Sequence, residues 1–385
     1  MRKILLLLLL PVFSSSYGQG RARVDSLLNQ LNHEYRNRQD TNKVKLLTQL
    51  AIQYKLTLND SGEVYEEKAL QLARQLGNKF SEAMCLYQIG ADIYSYNEMG
   101  NLIKALTLFE EIDDKPHVAM TLDFIAGQYY NLERFSQALL YFERALSFYE
   151  KINDEYNTAR IKGIIGETYG KLGNFTKALE YQLPVLPYFE KARRPDRTGL
   201  TLSNIGNAYM GLKDYNKALV YASSAVRLFT SLHKDSYLFG FALSDMGHIY
   251  FTAANDSTTG IHPDSLLATG RNENLSKAIY YYTAAHQVFK RNPTFVPTNI
   301  ALRLSNALAA TGRFEEALVY YREHAAYHES LLSENNRLKV SASETRREAD
   351  LKDQQIVIKK RERWLFGIGL ALLAIVVVLV WRSYN

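Results

Sequence analysis

The 385-residue chain contains one cysteine, Cys85. No intrachain disulfide can form and no cysteine-based metal cluster can be assembled, so Cys85 reads as a small apolar core residue. Proline is scarce: none follows Pro297, and no glycine lies between Gly312 and Gly367. The chain approaching its C-terminus therefore lacks the two residues that most often interrupt a helix. Charge of one sign is also missing in bulk. A formal net charge of +6 over 385 residues does not suggest a nucleic-acid binder, which would concentrate Lys and Arg on one face. Catalytic signatures are equally sparse. The run Gly166-Glu-Thr-Tyr-Gly-Lys171-Leu172 resembles a phosphate loop, but its glycines are too close and Leu172 stands where a hydroxyl ligand is needed. His324 and His328 stand four apart on an expected helix, yet Ala325 and Ala326 leave no glutamate in the zinc-protease position and no third ligand lies nearby. No cofactor or metal site is expected, and no enzymatic activity.

What the chain does have is apolar sequence at both ends. Arg2 and Lys3 precede the apolar run Ile4–Leu10, and a serine cluster and Gly18 come after it, the pattern of a secretory signal peptide over residues 1–18. Near the other end, Trp364–Trp381 is uncharged and spans about 27 Å as a helix, close to the thickness of a bilayer's hydrocarbon core. Trp364 and Trp381 stand at interface depth, Arg363 and Arg382 flank the span, and only residues 382–385 lie beyond it. The signal peptide places the intervening chain outside the cytoplasm and the C-terminus inside. Lys359, Lys360, Arg361 and Arg363 oppose that orientation under the positive-inside tendency, and the competing topology is a cytosolic array held by a C-terminal tail anchor.

Between these ends an eight-residue pattern recurs seven times, as in Leu122-Asp-Phe-Ile125-Ala-Gly-Gln-Tyr129, Leu202-Ser-Asn-Ile205-Gly-Asn-Ala-Tyr209 and Leu243-Ser-Asp-Met246-Gly-His-Ile-Tyr250. From Leu50 to Leu304 the spacings are 39, 36, 40, 40, 41 and 58. A second pattern accompanies it, as in Phe135-Ser-Gln-Ala138-Leu, Phe175-Thr-Lys-Ala178-Leu, Tyr215-Asn-Lys-Ala218-Leu and Phe314-Glu-Glu-Ala317-Leu. Apolar residues at i, i+3 and i+7 form one buried helical stripe, and a Gly or Ala after the central apolar residue leaves room for a crossing helix. Each unit is therefore a helical hairpin, with Gly173-Asn174 and Gly312-Arg313 at turns between helices. Two departures are expected: about three extra residues before Ala105, and an insert at 251–274, read as a loop with one short helix near Asp264–Ala268. Val24, Leu27, Leu28 and Leu31 place an N-terminal capping helix and its link over 22–42.

The linked half-motifs resemble the tetratricopeptide repeat in a form of about 40 residues, over roughly 43–330. The resemblance implies an all-α, right-handed superhelix of about seven hairpins with a concave groove lined mainly by first helices. In that family the second, fifth, ninth and twelfth positions of each first helix face the groove. Carried over by alignment, these include Asp123, Tyr130, Glu167, Ser203, Asn207, Ser244, His248 and Asn306. A polar surface with few cations suits a protein or peptide ligand and does not resemble the Lys/Asn clamp that some family members close on a C-terminal carboxylate.

From residue 331 to 363 the sequence is mostly charged and helix-favouring, so one long C-terminal helix is expected to continue into the membrane span. Leu331, Leu338, Ala342, Ala349 and Ile356 approximate a weak coiled-coil seam interrupted by Asn335, Thr345 and Lys352, which permits a homodimeric stalk. The whole arrangement resembles the sensor half of Gram-negative bacterial signalling proteins in which a histidine kinase or helix-turn-helix regulator comes after the span. No such output unit fits in residues 382–385, so kinase activity is not carried over. The expectation is an inner-membrane, single-pass interaction module that senses or scaffolds for a signalling partner. A structural envelope adaptor and a truncated product of a sensor kinase are the alternatives.

Overall fold

The computed structural model describes residues 10–57, 62–91, 99–232, 236–257, 266–267, 270–291 and 299–329. Fifteen helices occupy them. They are α1 (Leu10–His33), α2 (Thr41–Thr57), α3 (Gly62–Gln75), α4 (Lys79–Gly90), α5 (Met99–Glu111), α6 (Lys115–Asn131), α7 (Phe135–Lys151), α8 (Glu155–Lys171), α9 (Phe175–Lys191), α10 (Pro195–Gly211), α11 (Tyr215–Leu232), α12 (Tyr237–Asn255), α13 (Arg271–Arg291), α14 (Ile300–Ala310) and α15 (314–329). The even-numbered helices from α2 to α14 open seven consecutive hairpins, and each hairpin packs on the next. The stretches 331–363 and 364–381 and the short-helix expectation near 264–268 lie largely or wholly outside the described residues. So do the first nine residues of the signal-peptide expectation. Among the described residues no helix is long and apolar enough to cross a membrane.

The turns show why the period is so regular. Helices α6 to α10 end in a residue of positive φ: Glu133, Asn153, Gly173, Arg193 and Lys213, at 51 to 77°. After each, an amide reaches back to the helix it leaves, as Asn174 N does to the Tyr169 carbonyl (2.9 Å), which satisfies a carbonyl the helix end would otherwise orphan. Several helices that follow such turns are capped by a side chain, Asp114 accepting from His117 N, Asp154 from Asn157 N and Asn174 from Lys177 N, whereas α7 and α10 have no side-chain cap. From α5 to α11 three linking residues thus reverse the chain at a constant interval.

The hairpins close at the small residue foreseen from sequence. A Cβ on Gly166 would lie 2.9 Å from Gln182 Cγ and 3.0 Å from the Ala178 carbonyl, and one on Gly247 would lie 2.7 Å from the Tyr282 ring. The second hairpin corrects one expectation. A Cβ on Gly90 would meet Leu102, so Leu102 stands where Gln182 does and Ala105 where Ala145 does. That hairpin is shorter than its neighbours, with no extra residues before Ala105. The insert is narrower than 251–274. Phe251–Asn255 complete α12, with Ala253 and Ala254 buried, while Arg271–Asn274 open α13, with Asn274 buried. Helix α1 is longer than the expected cap and begins at Leu10. Val24 is buried, and Leu27, Leu28 and Leu31 are partly covered.

A second regular contact went unforeseen. In four consecutive hairpins the last residue of the first-helix motif stacks on a tyrosine of its partner helix: Tyr129 on Tyr141, Tyr169 on Tyr181, Tyr209 on Tyr221 and Tyr250 on Tyr281, with centroids 5.4 to 5.8 Å apart. A cation lies over one ring of each pair, namely Arg144, Lys177, Lys217 and Lys277. Offset stacking and cation–π contacts each contribute roughly 0.5–1 kcal/mol at such sites. This ladder is one structural use of the chain's 27 tyrosines. Helix α9 carries Pro184 and Pro187 in its interior, which deprives the Glu180 and Leu183 carbonyls of helical donors. Both prolines are exposed, so water reaches the freed carbonyls.

Candidate functional site

The eight residues carried over from the repeat pattern all lie on first helices: Asp123 and Tyr130 on α6, Glu167 on α8, Ser203 and Asn207 on α10, Ser244 and His248 on α12, and Asn306 on α14. Neighbouring first helices touch in succession from α8 through α14, so these residues share one layer of the array. Within it they form two dissimilar groups.

On α6 and α8 the polar groups satisfy one another. Asp123 pairs with Arg160, and both side chains are mostly covered. Burial alone would lower the Arg160 pKa, but the Asp123 carboxylate overrides it and the pKa is raised. Seven residues further along each helix, the Tyr130 hydroxyl donates to Glu167 Oε1 at 2.6 Å. Burial, and then the Glu167 charge, hold the Tyr130 hydroxyl protonated by raising its pKa. Two of the predicted residues therefore bond to each other, and a third is held by Arg160.

On α10, α12 and α14 the polar groups do not all find partners. Ser203 and Ser244 are buried and Asn306 is exposed. Arg303 donates to Ser244 Oγ at 3.3 Å across the α12–α14 seam. Asp245, beside Ser244, has its pKa pushed up to about 6 by burial, against the opposing influence of Asn207, Arg303, Ser203 and Lys171. His248, one turn along, is pushed down to about 4 by burial and then by Arg303, so its imidazole is neutral at pH 7. The Asn207 Oδ1 atom is buried without a hydrogen-bond partner. A buried acceptor left unmade costs on the order of 1–3 kcal/mol, and a ligand N–H can recover it. The group offers one carboxylate, one guanidinium, one orphaned amide oxygen and a neutral imidazole. Those groups are chemically suited to hydrogen-bond a polar backbone and to pair with charged side chains.

Sequence reasoning missed Arg160, Asp245 and Arg303. Asp245 and Arg303 fall outside the four helix positions carried over from the family, whereas Arg160 stands at the second helix position, two residues before the Lys162 that opens its motif. A usable signal existed: Asp245 and Arg303 occupy the same place in successive repeats, third in Leu243-Ser-Asp245 and in Ala301-Leu-Arg303, with opposite charge. The rings of His324 and His328 lie 6.0 Å apart on α15. Among the described residues no group of three or more His, Cys, Asp or Glu side chains is placed to hold a metal.

A tetratricopeptide-repeat family model matches residues 118–155 and 299–337. No curated protein matches this sequence. Among solved structures the chain is similar to the apo form of RapI, with a TM-score of 0.56 and 15% identity, covering 76% of this chain and 99% of that one. It is also similar to a signal transduction ATPase with numerous domains that carries a tetratricopeptide repeat sensor, from Pyrococcus horikoshii. There the TM-score is 0.56 and the identity 17%, over 73% of this chain and 42% of that one. At such identities the likeness concerns the fold. The family model over those two stretches and the paired helices with glycine-centred crossings elsewhere agree on a tetratricopeptide-like array of helical hairpins.

Proposed function

We propose that the chain recognises a protein or peptide segment along its first-helix layer, in the concave groove of a right-handed superhelix, with the principal contacts on α10, α12 and α14. The carrying observation is the buried, unpartnered Asn207 Oδ1 beside Asp245. A peptide lying across this layer presents an N–H to Asn207 and a basic group to Asp245, while Arg303 and Asn306 take its carbonyls. In this reading residues 1–18 direct export, 364–381 anchor the module in the inner membrane, and 331–363 connect the array to the span. The bound segment is then the signal, or the tether, for a partner that acts.

The test is fluorescence anisotropy of the full chain against a library of labelled decapeptides. Peptides selected by the wild type should lose at least tenfold in affinity with Asn207→Ala or Asp245→Ala. Selected peptides that bind both variants as tightly as wild type sink the assignment. For topology, alkaline phosphatase fused within the repeats should be active in export-competent cells, and an inactive fusion supports the tail-anchored alternative.

A further inference from the structure

The end of α1, the link after it, the start of α2 and the end of α3 line a cleft of about 350 Å³. Its apolar floor is Leu31, Leu47 and Leu72. Three cations reach it from three elements: Arg36 from the link, Lys43 from α2 and Lys68 from α3. No carboxylate lines the cleft, and among the described residues none of the three cations has an ion-pair partner. Lys43 Nζ donates to the Arg36 carbonyl at 3.3 Å, and Lys68 Nζ lies over the Tyr65 ring. Asp40, in the same link, is taken up as a cap of α2, accepting from Lys43 N at 2.9 Å. A cleft at the same repeat place lies between α9, α10 and α11. Leu47 and Leu202 both open their motifs, and Leu72 and Leu228 both stand ten residues after the residue at their hairpin's crossing, Gly62 and Ala218. That second cleft also carries three arginines, Arg193, Arg194 and Arg227, but Glu190 joins its rim and Asp196 holds Arg194 at 3.1 Å. Of the two, only the cleft beside α1 has positive charge with nothing to offset it. It also opens away from the groove. Lys43 stands five residues before Thr48, the α2 equivalent of Asp123, and is therefore turned about 140° round the helix from the face carried over for the groove.

We propose that this cleft is a second binding site, which takes an acidic peptide segment carrying one apolar side chain among its carboxylates. The leucine floor receives the apolar side chain, and the three cations set the sign of what flanks it. The remaining lining sets the class of ligand. Asn32, Gln39, Gln71 and Gln75 present side-chain amides, each of which donates and accepts at once. That matches the alternating N–H and C=O of a peptide backbone. A phosphate or lipid headgroup offers acceptors to the cations and leaves the amide oxygens without a donor. Arg36 and Lys68 are exposed and Lys43 is half-buried, so no single ion pair there is worth much, and binding needs the cations and the leucine floor together. The site shares no residue with the layer on α10, α12 and α14 and stands at the other end of the array.

The experiment is fluorescence anisotropy of the full-length chain in mild detergent, with a labelled decapeptide of Glu and Asp around one central Leu. This peptide should bind at least tenfold more tightly than its counterpart with Gln and Asn in place of Glu and Asp, and several-fold more tightly than the one with Ser in place of Leu. Lys43→Glu combined with Lys68→Glu should weaken binding at least tenfold with helical circular dichroism unchanged. Arg227→Glu, at the other cleft, should change it less than twofold. Equal affinity for the Gln and Asn peptide, or for the Ser peptide, overturns the proposal. So does an equal loss with Arg227→Glu, which would mark a general attraction of acidic chains to a basic protein. If phosphatidylglycerol micelles bind through Lys43 and Lys68 and the peptide does not, the cleft is a lipid site and the proposal falls. A loss with Asn207→Ala in place of the Lys43 and Lys68 pair puts the peptide in the groove, which overturns this inference and supports the groove reading.

Discussion

The α6–α8 seam and the α10–α12–α14 layer are built from the same repeat positions, yet they treat their polar groups in opposite ways. The first closes its charges into an ion pair and a short hydrogen bond between adjacent helices. The second leaves a buried amide oxygen unmade and a carboxylate shifted against its preference. Polar groups at a repeat interface can therefore be used for stability or kept for a ligand, and the repeat pattern alone does not say which.

The largest expected effect breaks the first region. Asp123→Ala takes the carboxylate from the covered Arg160 guanidinium, leaving it neutral partners in Asn157 and Tyr149, and should destabilise the array by about 3 kcal/mol, measured by urea denaturation at pH 7. Any peptide selected by wild type should still bind the folded variant. Asp245→Asn should do the reverse. The folded pKa of about 6 lies above the ordinary carboxylate value, so the ionised form opposes folding fully above pH 6 and not at all below about 4. The variant should be about 2 kcal/mol more stable than wild type at pH 7.5, with the gain gone at pH 3.5, while peptide affinity falls.

His248 carries the opposite sign. Its folded pKa of about 4 lies below the ordinary histidine value, so wild type loses stability as pH falls from about 6.5 to 4. Asp245 gains across nearly the same window, and the two contributions offset one another. His248→Gln should uncover the Asp245 gain: its midpoint in urea, relative to wild type, should rise between pH 6.5 and 4.5. No relative rise would show that the imidazole is not held neutral. The smaller effects sharpen the contrast. Tyr130→Phe removes the bond to Glu167 and should cost about 1 kcal/mol. Asn207→Ala removes an acceptor that has no partner but also a donor to the Asp245 carboxylate, so it should cost about 1 kcal/mol at pH 7.5 while ligand affinity collapses.

Much of the architecture was legible because the repeat enforces it locally. A glycine such as Gly166 or Gly247 has a steric reason that any crossing helix imposes, and the turn at Gly173 has a conformational one. The insert was misjudged because Phe251–Asn255 carry no breaker yet stand beyond the motif, and only packing of Ala253 and Ala254 shows that the helix continues. The stacked tyrosines were visible as a composition and invisible as pairs, since Tyr129 and Tyr141 meet only when the hairpin closes. For the site, the motif located the helix face. It did not reveal that Tyr130 would reach Glu167 and not a ligand, or that Asp245 and Arg303 would join the layer.

The sequence by itself determined the helical hairpins, their number and, outside the second hairpin, their crossing points. Those depend on periodicity, on small residues and on turn chemistry within about 40 residues of one another. Only the tertiary structure decided which polar groups are satisfied, which are held against their preferred ionisation and which cleft is left open. These are properties of side chains from neighbouring repeats, and they are set by desolvation and by distances that exist only once the hairpins stack.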